Sequence, residues 1–338
     1  MPFAGPAPLS VLDLAPVSTG STPADALRNS LDLAQHAERL GYRRHWVAEH
    51  HNMPGIASSA PAVLIAHLAS VTSTIHVGSG GVMLPNHQPL VIAEQFGMLE
   101  ALHPGRIDLG IGRAPGTDQI TAYALRRNLD PASEDLPTQL RELRAFFAGS
   151  IPRIRATPGE GYEPELWLLG SSDFSARLAG ELGLPFSFAH HFMPQNTLAA
   201  LDVYRRSFQP SPALEAPHAM IGVQAICADT DEQARWIATP GGLSFLRLRS
   251  GRPGTFPSPE EAAAQNHTPA EQAFIDRWLA GHVIGSPQTV RDGLLELQAR
   301  TGADEMMLTT MVHDHADRIR SYELVAGVLA AAPASQAA

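Results

Sequence analysis

Three side chains that can move protons, Glu49, His50 and His51, follow directly on a short apolar strand candidate. The stretch reads Gly41-Tyr-Arg-Arg-His-Trp-Val-Ala-Glu-His-His51, and histidine titrates close to neutral pH. A strand that ends at the rim of a sheet delivers such groups to one place, so we interpret the cluster as part of an active site. Loops are often polar without any chemistry, and this second interpretation stays open at this point.

A serine-rich helix start at Ser171, Ser172 and Ser175 follows another apolar strand candidate and predicts an anion site. The first N–H groups of a helix favour a negative charge, and serine hydroxyls add further donors. Arg113 ends the preceding strand candidate, and a guanidinium group suits a phosphate. Two alternatives remain: a serine that only caps the helix, and an Arg113 that pairs with a carboxylate such as Asp118.

Gly80 and Gly81 end a third strand candidate and leave room for a flat ligand against the backbone, although the pair also suits an ordinary turn. A second glycine-rich stretch, Gly110-Ile-Gly-Arg-Ala-Pro-Gly116, does not fit the dinucleotide-binding motif. Its third glycine comes one position late, and Pro115 interrupts the helix which that motif must open. We therefore expect no Rossmann-type site.

The pairs His50-His51 and His190-His191 raise the alternative of a metal-dependent hydrolase. Neighbouring residues of a strand point to opposite faces, so neither pair easily supplies two ligands to one ion. The chain also has no His-Glu-x-x-His motif. We predict that the protein has no catalytic metal.

The elements that must position these residues alternate between strands and helices. The repeated order predicts a parallel sheet covered by helices, and eight units predict a closed (β/α)8 TIM barrel that uses 1–338 as a single domain. The strand candidates are 9–15, 44–48, 75–79, 106–110, 166–169, 186–189, 219–227 and 305–309. The helix candidates are 23–40, 60–72, 89–102, 137–148, 172–182, 195–208, 230–238, 287–300 and 314–329.

Two segments are longer than simple connections between strands and helices, at 113–136 and 240–284. Because long functional loops collect at the carboxyl end of barrel strands, we expect the insertion 240–284 to act as a lid. The alanine-rich tail predicts disorder from about residue 331.

Composition excludes several kinds of partner. The formal charge of -10 repels nucleic acid and anionic membranes, and no run of basic residues offsets it. The single cysteine, Cys227, excludes an intrachain disulfide, and its apolar neighbours predict a buried strand residue. The N-terminus does not resemble a signal peptide, and no apolar stretch is long enough to span a membrane, so we expect a cytoplasmic protein.

Five motifs, in the expected order, resemble the bacterial luciferase-like monooxygenase family. The similarity runs from about residue 9 to residue 328 and is weakest over 240–284. The motifs are Trp46-Val-Ala-Glu-His-His51, Val77-Gly-Ser-Gly-Gly-Val-Met-Leu-Pro85, His103-Pro-Gly-Arg-Ile-Asp-Leu-Gly-Ile-Gly-Arg-Ala-Pro-Gly116, Leu169-Gly-Ser-Ser172 and Gly183-Leu-Pro-Phe-Ser-Phe-Ala-His-His-Phe192.

The resemblance implies a flavin-dependent monooxygenase that binds reduced FMN and uses O2 through a C4a-peroxyflavin to oxygenate a small organic substrate. It implies that His50 is catalytic with Glu49 in support, and that a non-prolyl cis peptide lies at Gly80-Gly81 under the flavin ring. The implied FMN phosphate contacts are Arg113, Ser171, Ser172 and Ser175. Besides the resemblance, Leu14 and Phe192 beside the polar His190 could line a substrate pocket, although such residues also suit plain barrel packing.

The resemblance also implies partners: a separate NAD(P)H-dependent flavin reductase, and a second copy of the chain in a homodimer. Ser171, Gly112 and His190 stand where luciferase itself has glutamate, cysteine and tryptophan, so we do not expect light emission. Two further hypotheses remain open besides the hydrolase. The protein is an F420-dependent oxidoreductase of the same superfamily, or a flavin-binding protein without turnover.

Overall fold

A closed barrel of parallel strands forms the centre of the computed structural model, which describes residues 5–113, 119–125 and 136–330. Of its nine strands, eight close the ring, because β1 pairs with both β2 and β9, and β6 pairs with β7. The ring strands are β1 (Leu9–Asp13), β2 (Arg44–Val47), β3 (His76–Met83), β4 (Ile107–Gly112), β5 (Glu165–Gly170), β6 (Phe186–Phe188), β7 (Ala219–Cys227) and β9 (Glu305–Thr309). The predicted (β/α)8 TIM barrel is confirmed.

Helices follow the strands along the chain and cover the outside of the barrel. The apolar outer residues of the strands, such as Val11, Val77 and Leu109, are fully buried against helix residues such as Leu33 and Ile65. Burial of each such side chain contributes about 1.5–3 kcal/mol to folding. The helices are α1 (Pro23–Arg39), α2 (Pro61–Val71), α3 (Pro89–Leu102), α4 (Gln119–Leu125), α5 (Leu136–Phe147), α6 (Asp173–Glu181), α7 (Thr197–Ser207), α8 (Asp231–Arg249), α9 (Pro259–Ala263), α10 (Pro269–Ala280), α11 (Pro287–Thr301) and α12 (His315–Ala330).

The lower half of the barrel, at the amino ends of the strands, is filled by a charged layer around Arg44. Arg44 Nη1 lies 2.8 Å from Asp108 Oδ2, and Arg44 Nε lies 3.2 Å from Glu305 Oε1. Above this layer Trp46 Nε1 donates a 2.7 Å hydrogen bond to Asp108, and its ring meets Trp167 edge to face with centroids 5.3 Å apart. These layers fill the lower barrel interior with side chains of the described residues.

The insertion 240–284 is largely helical, so the sequence prediction of a helix that ends near residue 238 is wrong. α8 continues through Pro240 to Arg249, although a proline inside a helix costs about 3 kcal/mol. Contact with α10 accounts for the continuation: a Cβ on Gly241 would lie 2.6 Å from Trp278 Cη2, and one on Gly242 would lie 2.7 Å from Ile275 Cγ2. Two glycines that look like helix breakers therefore allow two helices to pack closely.

A ninth strand, β8 (Val283–Gly285), was not predicted. It pairs with the carboxyl end of β7 outside the ring, and only three residues form it, which is too short for a sequence pattern. The predicted disordered tail from about residue 331, and most of the long segment after Arg113, lie outside the described residues. In the described ranges no helix is both long and apolar enough to cross a membrane.

Candidate active site

A cavity of about 500 Å³ opens at the carboxyl ends of the barrel strands. It lies above Trp46 and Trp167, where the side chains of the lower barrel end. Nine of the residues predicted from the sequence line this one cavity: Leu14, His50, Gly80, Gly81, Arg113, Ser171, Ser172, Ser175 and Phe192.

The backbone of Gly80 and Gly81 forms one wall of the cavity. The peptide bond between them is cis, as the resemblance implied. A Cβ on Gly80 would lie 2.6 Å from Leu12 Cδ1, and one on Gly81 would lie 2.7 Å from the Gly110 carbonyl oxygen. The Leu12 side chain would have to move for a Cβ on Gly80, and the backbone of β4 leaves no space for one on Gly81.

The start of α6 forms the polar end of the cavity. Ser172 occupies the N-cap position, yet its hydroxyl caps no backbone N–H, so the interpretation of Ser172 as only a cap lacks its hydrogen bond. A Cβ on Gly170 would lie 2.5 Å from Ser175 Oγ, which explains why glycine precedes the serines. The hydroxyls and the free N–H groups of the first helical turn can therefore bind an anion.

Arg113 adds a positive charge at this end. Its guanidinium lies over the ring of Phe174 in α6, with Cζ 4.7 Å from the ring centroid. The contact holds the end of β4 against the start of α6 and leaves the N–H donors of Arg113 available at the cavity. Asp118, the alternative partner considered for Arg113, lies outside the described residues.

His50 follows β2 and lines the cavity. Its backbone N–H donates to the Ser58 carbonyl at 3.0 Å, while its ring nitrogen Nδ1 is buried without a hydrogen-bond partner among the described residues. Burial lowers the pKa of His50 to about 4, with Glu49 opposing the shift and His51 adding to it. The ring is therefore neutral near pH 7 and offers one N–H donor and one acceptor.

Glu49, predicted to support His50 in catalysis, does not line the cavity. Its carboxylate accepts a 3.0 Å hydrogen bond from the backbone N–H of Met83, and lies 2.9 Å from Nε2 of both His51 and His87. Adjacent residues at a strand end face opposite sides, so Glu49 turns away where His50 turns inward. Glu49 can therefore act only through the segments that it holds in place. His51 is one of the side chains that its carboxylate contacts.

His190 and His191 lie in the turn after β6 and point in different directions, and His190 is the one that the sequence predicted for the substrate pocket. His190 does not line the cavity, because its Nδ1 lies 2.7 Å from Thr197 Oγ1. His191 lines it instead, with Nδ1 3.0 Å from the Gly222 carbonyl oxygen. Burial lowers the pKa of His191 to about 4. The motif predicted a histidine at this place, but not which of the two neighbouring histidines faces the cavity.

A second chamber of about 150 Å³ adjoins the cavity and shares Leu14, His50, His191 and Phe192 with it. We call it the outer chamber. The helices α8 and α10 and the loop between α8 and α9 form its walls. Sequence reasoning missed its other residues, because they come from segments far apart in the chain: Met53, Gly55, Ile56, Gln224, Gly241, Ser244, Phe245, Leu248, Pro253, Gly254, Phe256, Trp278, Thr309 and Met311.

Other clusters in the described part of the chain do not compete with this site. A cavity of about 570 Å³ between α8, α9 and α10 contains none of the residues that the sequence predicted for the site. His76, Asp108 and Glu165 bring ligand atoms within 4.8 Å of one another at the floor of the barrel, but Arg44 already contacts both carboxylates there. Cys227 is buried, and burial raises the pKa of its thiol to about 12.

Comparison with known proteins places the chain in a family. The sequence pattern of the luciferase-like monooxygenases matches residues 8–305, so the protein belongs to the luciferase-like monooxygenase family. It is 55% identical to the uncharacterized protein YvbT of Bacillus subtilis over 95% of this chain and 96% of that one. It is 48% identical to a luciferase-like monooxygenase of Escherichia coli over 94% and 96% of the two chains. It is 33% identical to the N-acetyl-S-alkylcysteine monooxygenase of Bacillus subtilis over 96% and 98%.

Solved structures share the fold. The crystal structure of apo-MsnO8 superimposes with a TM-score of 0.89 at 42% identity, over 97% of this chain and 99% of that one. The oxygenating constituent of a 3,6-diketocamphane monooxygenase from Pseudomonas putida, in complex with FMN, gives 0.73 at 20% identity over 96% and 98%. An F420-dependent secondary alcohol dehydrogenase gives 0.71 at 14% identity over 96% and 99%. At these last two identities the likeness concerns the fold alone.

Proposed function

We propose that the protein is an FMN-dependent monooxygenase that oxygenates a small organic substrate. Reduced FMN, when bound, supplies the electrons that activate O2 for transfer of one oxygen atom. One observation carries the proposal: a single cavity combines a helix start with free donors, an adjacent arginine, a glycine wall and a buried neutral histidine. The names of several relatives, which describe monooxygenases, support it.

The polar end of the cavity fits a phosphate group. Arg113 is the only Arg among the described lining residues, and Ser171, Ser172 and Ser175 surround the free N–H groups of α6. A dianionic phosphate there would gain charge-assisted hydrogen bonds from a fixed cation and from the helix terminus. These residues would hold the FMN phosphate.

The rest of the cavity fits a flat ring system. Its volume of about 500 Å³ lies within the usual range of cofactor sites, and Gly80 and Gly81 let a planar ligand approach the backbone. Leu12, Leu169 and Met307 add an apolar surface beside the glycine wall. These residues would hold the flavin ring in the same cavity that His50 lines.

His50 would hold a proton near the reacting atoms. Because its pKa is lowered to about 4, the ring stays neutral at physiological pH and can donate through one nitrogen while the other accepts. Glu49 would act indirectly, since its carboxylate fixes the backbone of Met83 at the end of the glycine wall. The helices α8 and α10, which wall the outer chamber, would exclude water from the site.

We also propose the partners that the family resemblance implies. A separate NAD(P)H-dependent flavin reductase would supply reduced FMN, and O2 and a small molecule would be the other substrates. FMN and water would then leave the site.

Titration with oxidised FMN, read by quenching of flavin fluorescence, tests the cofactor. We expect Arg113→Leu to weaken FMN binding by about tenfold or more, because a hydrogen bond to a charged group contributes about 1.5–3 kcal/mol. Riboflavin lacks the phosphate, so its affinity should not change. The control Arg206→Leu removes an exposed arginine of α7 and should leave both affinities as they are. Quenching of F420 fluorescence without any FMN binding would overturn the proposal in favour of an F420-dependent enzyme.

Rapid mixing of the reduced FMN complex with O2 tests the reaction. The protein should change the rate at which the flavin reoxidises, and His50→Ala should alter that rate, whereas the control His36→Ala on α1 should not. Identical reoxidation of free and bound flavin would indicate a protein that binds flavin without turnover.

A further inference from the structure

The outer chamber is apolar and carries no formal charge. No Asp, Glu or Arg stands among the described residues that line it, and its walls include Ile56, Leu248, Phe256 and Trp278. The two histidines that it shares with the main cavity, His50 and His191, are neutral at physiological pH because burial lowers the pKa of each to about 4. A ligand in this chamber meets no ionised partner.

Besides Ser244 and the two shared histidines, two polar side chains of the barrel strands line this chamber. Gln224 of β7 and Thr309 of β9 are direct partners in the parallel ladder, so both lie on the inner face and reach the same side of the chamber. Gln224 is 5% exposed and Thr309 is 3% exposed. Gln224 Nε2 and Thr309 Oγ1 are buried without a hydrogen-bond partner among the described residues.

Unpartnered polar atoms are costly in a folded protein. These two atoms have almost no accessible surface, but their side chains line the chamber side by side, so a rotation of each side chain would turn a donor toward a ligand that satisfies it. Gln224 Nε2 is a donor only, and the hydroxyl of Thr309 can also donate. The group that best satisfies both is an oxygen acceptor.

We propose that the substrate is an uncharged, mostly apolar molecule with one oxygen acceptor, such as the carbonyl oxygen of a ketone, and that Gln224 and Thr309 anchor this oxygen. The proposal rests on the function proposed above and adds the substrate class of the same site. We expect a carboxylate to bind poorly, because no cation among the described residues lines this chamber to pair with it. The volume of about 150 Å³ suits an apolar body near the size of benzene.

Binding of three matched probes to the FMN-loaded protein tests the proposal: cyclohexanone, cyclohexene and cyclohexanecarboxylate. Ligand-observed NMR titration measures each affinity. We expect cyclohexanone to bind about tenfold more tightly than cyclohexene, as one net hydrogen bond of about 1.4 kcal/mol predicts, and the carboxylate not to bind. Equal binding of the carboxylate and the ketone would overturn the proposal.

Two substitutions identify the anchor. Gln224→Leu should weaken the binding of cyclohexanone about tenfold and leave the affinities for cyclohexene and FMN unchanged. Thr309→Val should weaken the binding of cyclohexanone by a few fold. The control Gln233→Leu replaces an exposed glutamine of α8 and should change nothing. An unchanged cyclohexanone affinity in both Gln224→Leu and Thr309→Val would rule out these residues as the anchor.

Measurements of stability and of FMN binding distinguish a failure of the proposed function from a failure of the proposed anchor. Both substitutions remove a polar atom that has no described partner, so the melting temperature should stay the same or rise, and Thr309→Val remains informative if Gln224→Leu does not fold. If FMN does not bind but the free protein still binds cyclohexanone in a Gln224-dependent way, the proposed function fails and the anchor stands. If FMN binds and the ketone preference is absent, only the anchor fails.

Discussion

Burial, more than any charged neighbour, sets the pKa of the histidines around the cavity. It lowers the pKa of His50 and of His191 to about 4, and it does the same for His282, whose Nε2 lies 3.5 Å from the carbonyl oxygen of His191. A neutral ring keeps both a donor and an acceptor. These histidines therefore provide hydrogen-bonding groups and add no charge to their apolar surroundings.

This burial predicts how stability depends on pH. In the unfolded chain these histidines titrate near 6.5, so between about pH 6.5 and about pH 4 the unfolded state binds more protons than the folded state. Stability is fully present above about 6.5 and is lost as the pH falls toward 4. Urea unfolding across this range should show a falling free energy of unfolding.

Replacing one histidine checks the origin of that slope. His191→Gln should make the decline shallower, because one group no longer takes up a proton on unfolding. His36→Gln, on the outer side of α1, should retain the slope. A free energy of unfolding that is flat or rises on acidification would contradict the prediction.

At the residue scale, the motifs predicted many of the residues that line the cavity, but not which way the side chains of neighbouring residues point. His50, Arg113 and the three serines all line the cavity, because each stands next to a strand end or a helix start that the sequence marks clearly. Glu49 and His190 do not, since a one-residue change of register reverses the face of a side chain. Gln224 and Thr309 carry no motif at all, and only the pairing of β7 with β9 brings them together.

Among the elements, α3 depends on one close contact with the chain before β5. A Cβ on Gly97 would lie 2.1 Å from the Gly159 Cα, and one on Gly159 would lie 2.3 Å from the Ala93 carbonyl oxygen. The two backbones touch with no space for a side chain. This contact seats α3 against the loop that leads into β5.

Two glycine substitutions in helices should therefore act in opposite directions. Gly97→Ala should destabilise the protein by about 1–3 kcal/mol or more, because backbone atoms must separate. Gly327→Ala, in α12, meets nothing within 4 Å and should stabilise by up to about 1 kcal/mol through helix propensity. Chemical denaturation of both variants measures the difference. A similar effect of the two changes would show that the close contact does not matter.

The helices of the insertion show which helix starts and ends could be predicted from the sequence and which could not. Ser258-Pro-Glu-Glu261 and Thr268-Pro-Ala-Glu271 form capping boxes at the starts of α9 and α10, and this local pattern could have predicted both helices. The continuation of α8 through Pro240 could not be predicted. It depends on packing against α10, which comes later in the chain.

For the whole molecule, the apolar outer faces of α2 and α3 support the proposed homodimer. Val63 is 63% exposed, Met98 51% and Leu102 67%, and Val91 of α3 is also exposed. Clustered apolar side chains on a surface mark interaction sites more often than single ones do. We propose that a second copy of the chain covers this face.

A charge on that face should separate the copies. Met98→Glu should convert a dimer to a monomer in sedimentation or light-scattering measurements, because an interface of ordinary size cannot easily bury an unpaired carboxylate. Leu198→Glu is a matched control, because Leu198 is also 51% exposed but lies on α7. A monomeric wild-type protein, or a dimer that survives Met98→Glu, would exclude this interface.

The division of the site into two chambers has a consequence for protein engineering. Of the residues that the structure describes, four belong to both chambers, and the outer walls come from α8, α10 and the loop after α8. Libraries restricted to Leu248, Phe256 and Trp278 should therefore change which compounds are accepted while the cofactor wall keeps its shape. The same barrel could acquire new substrates through its insertion alone.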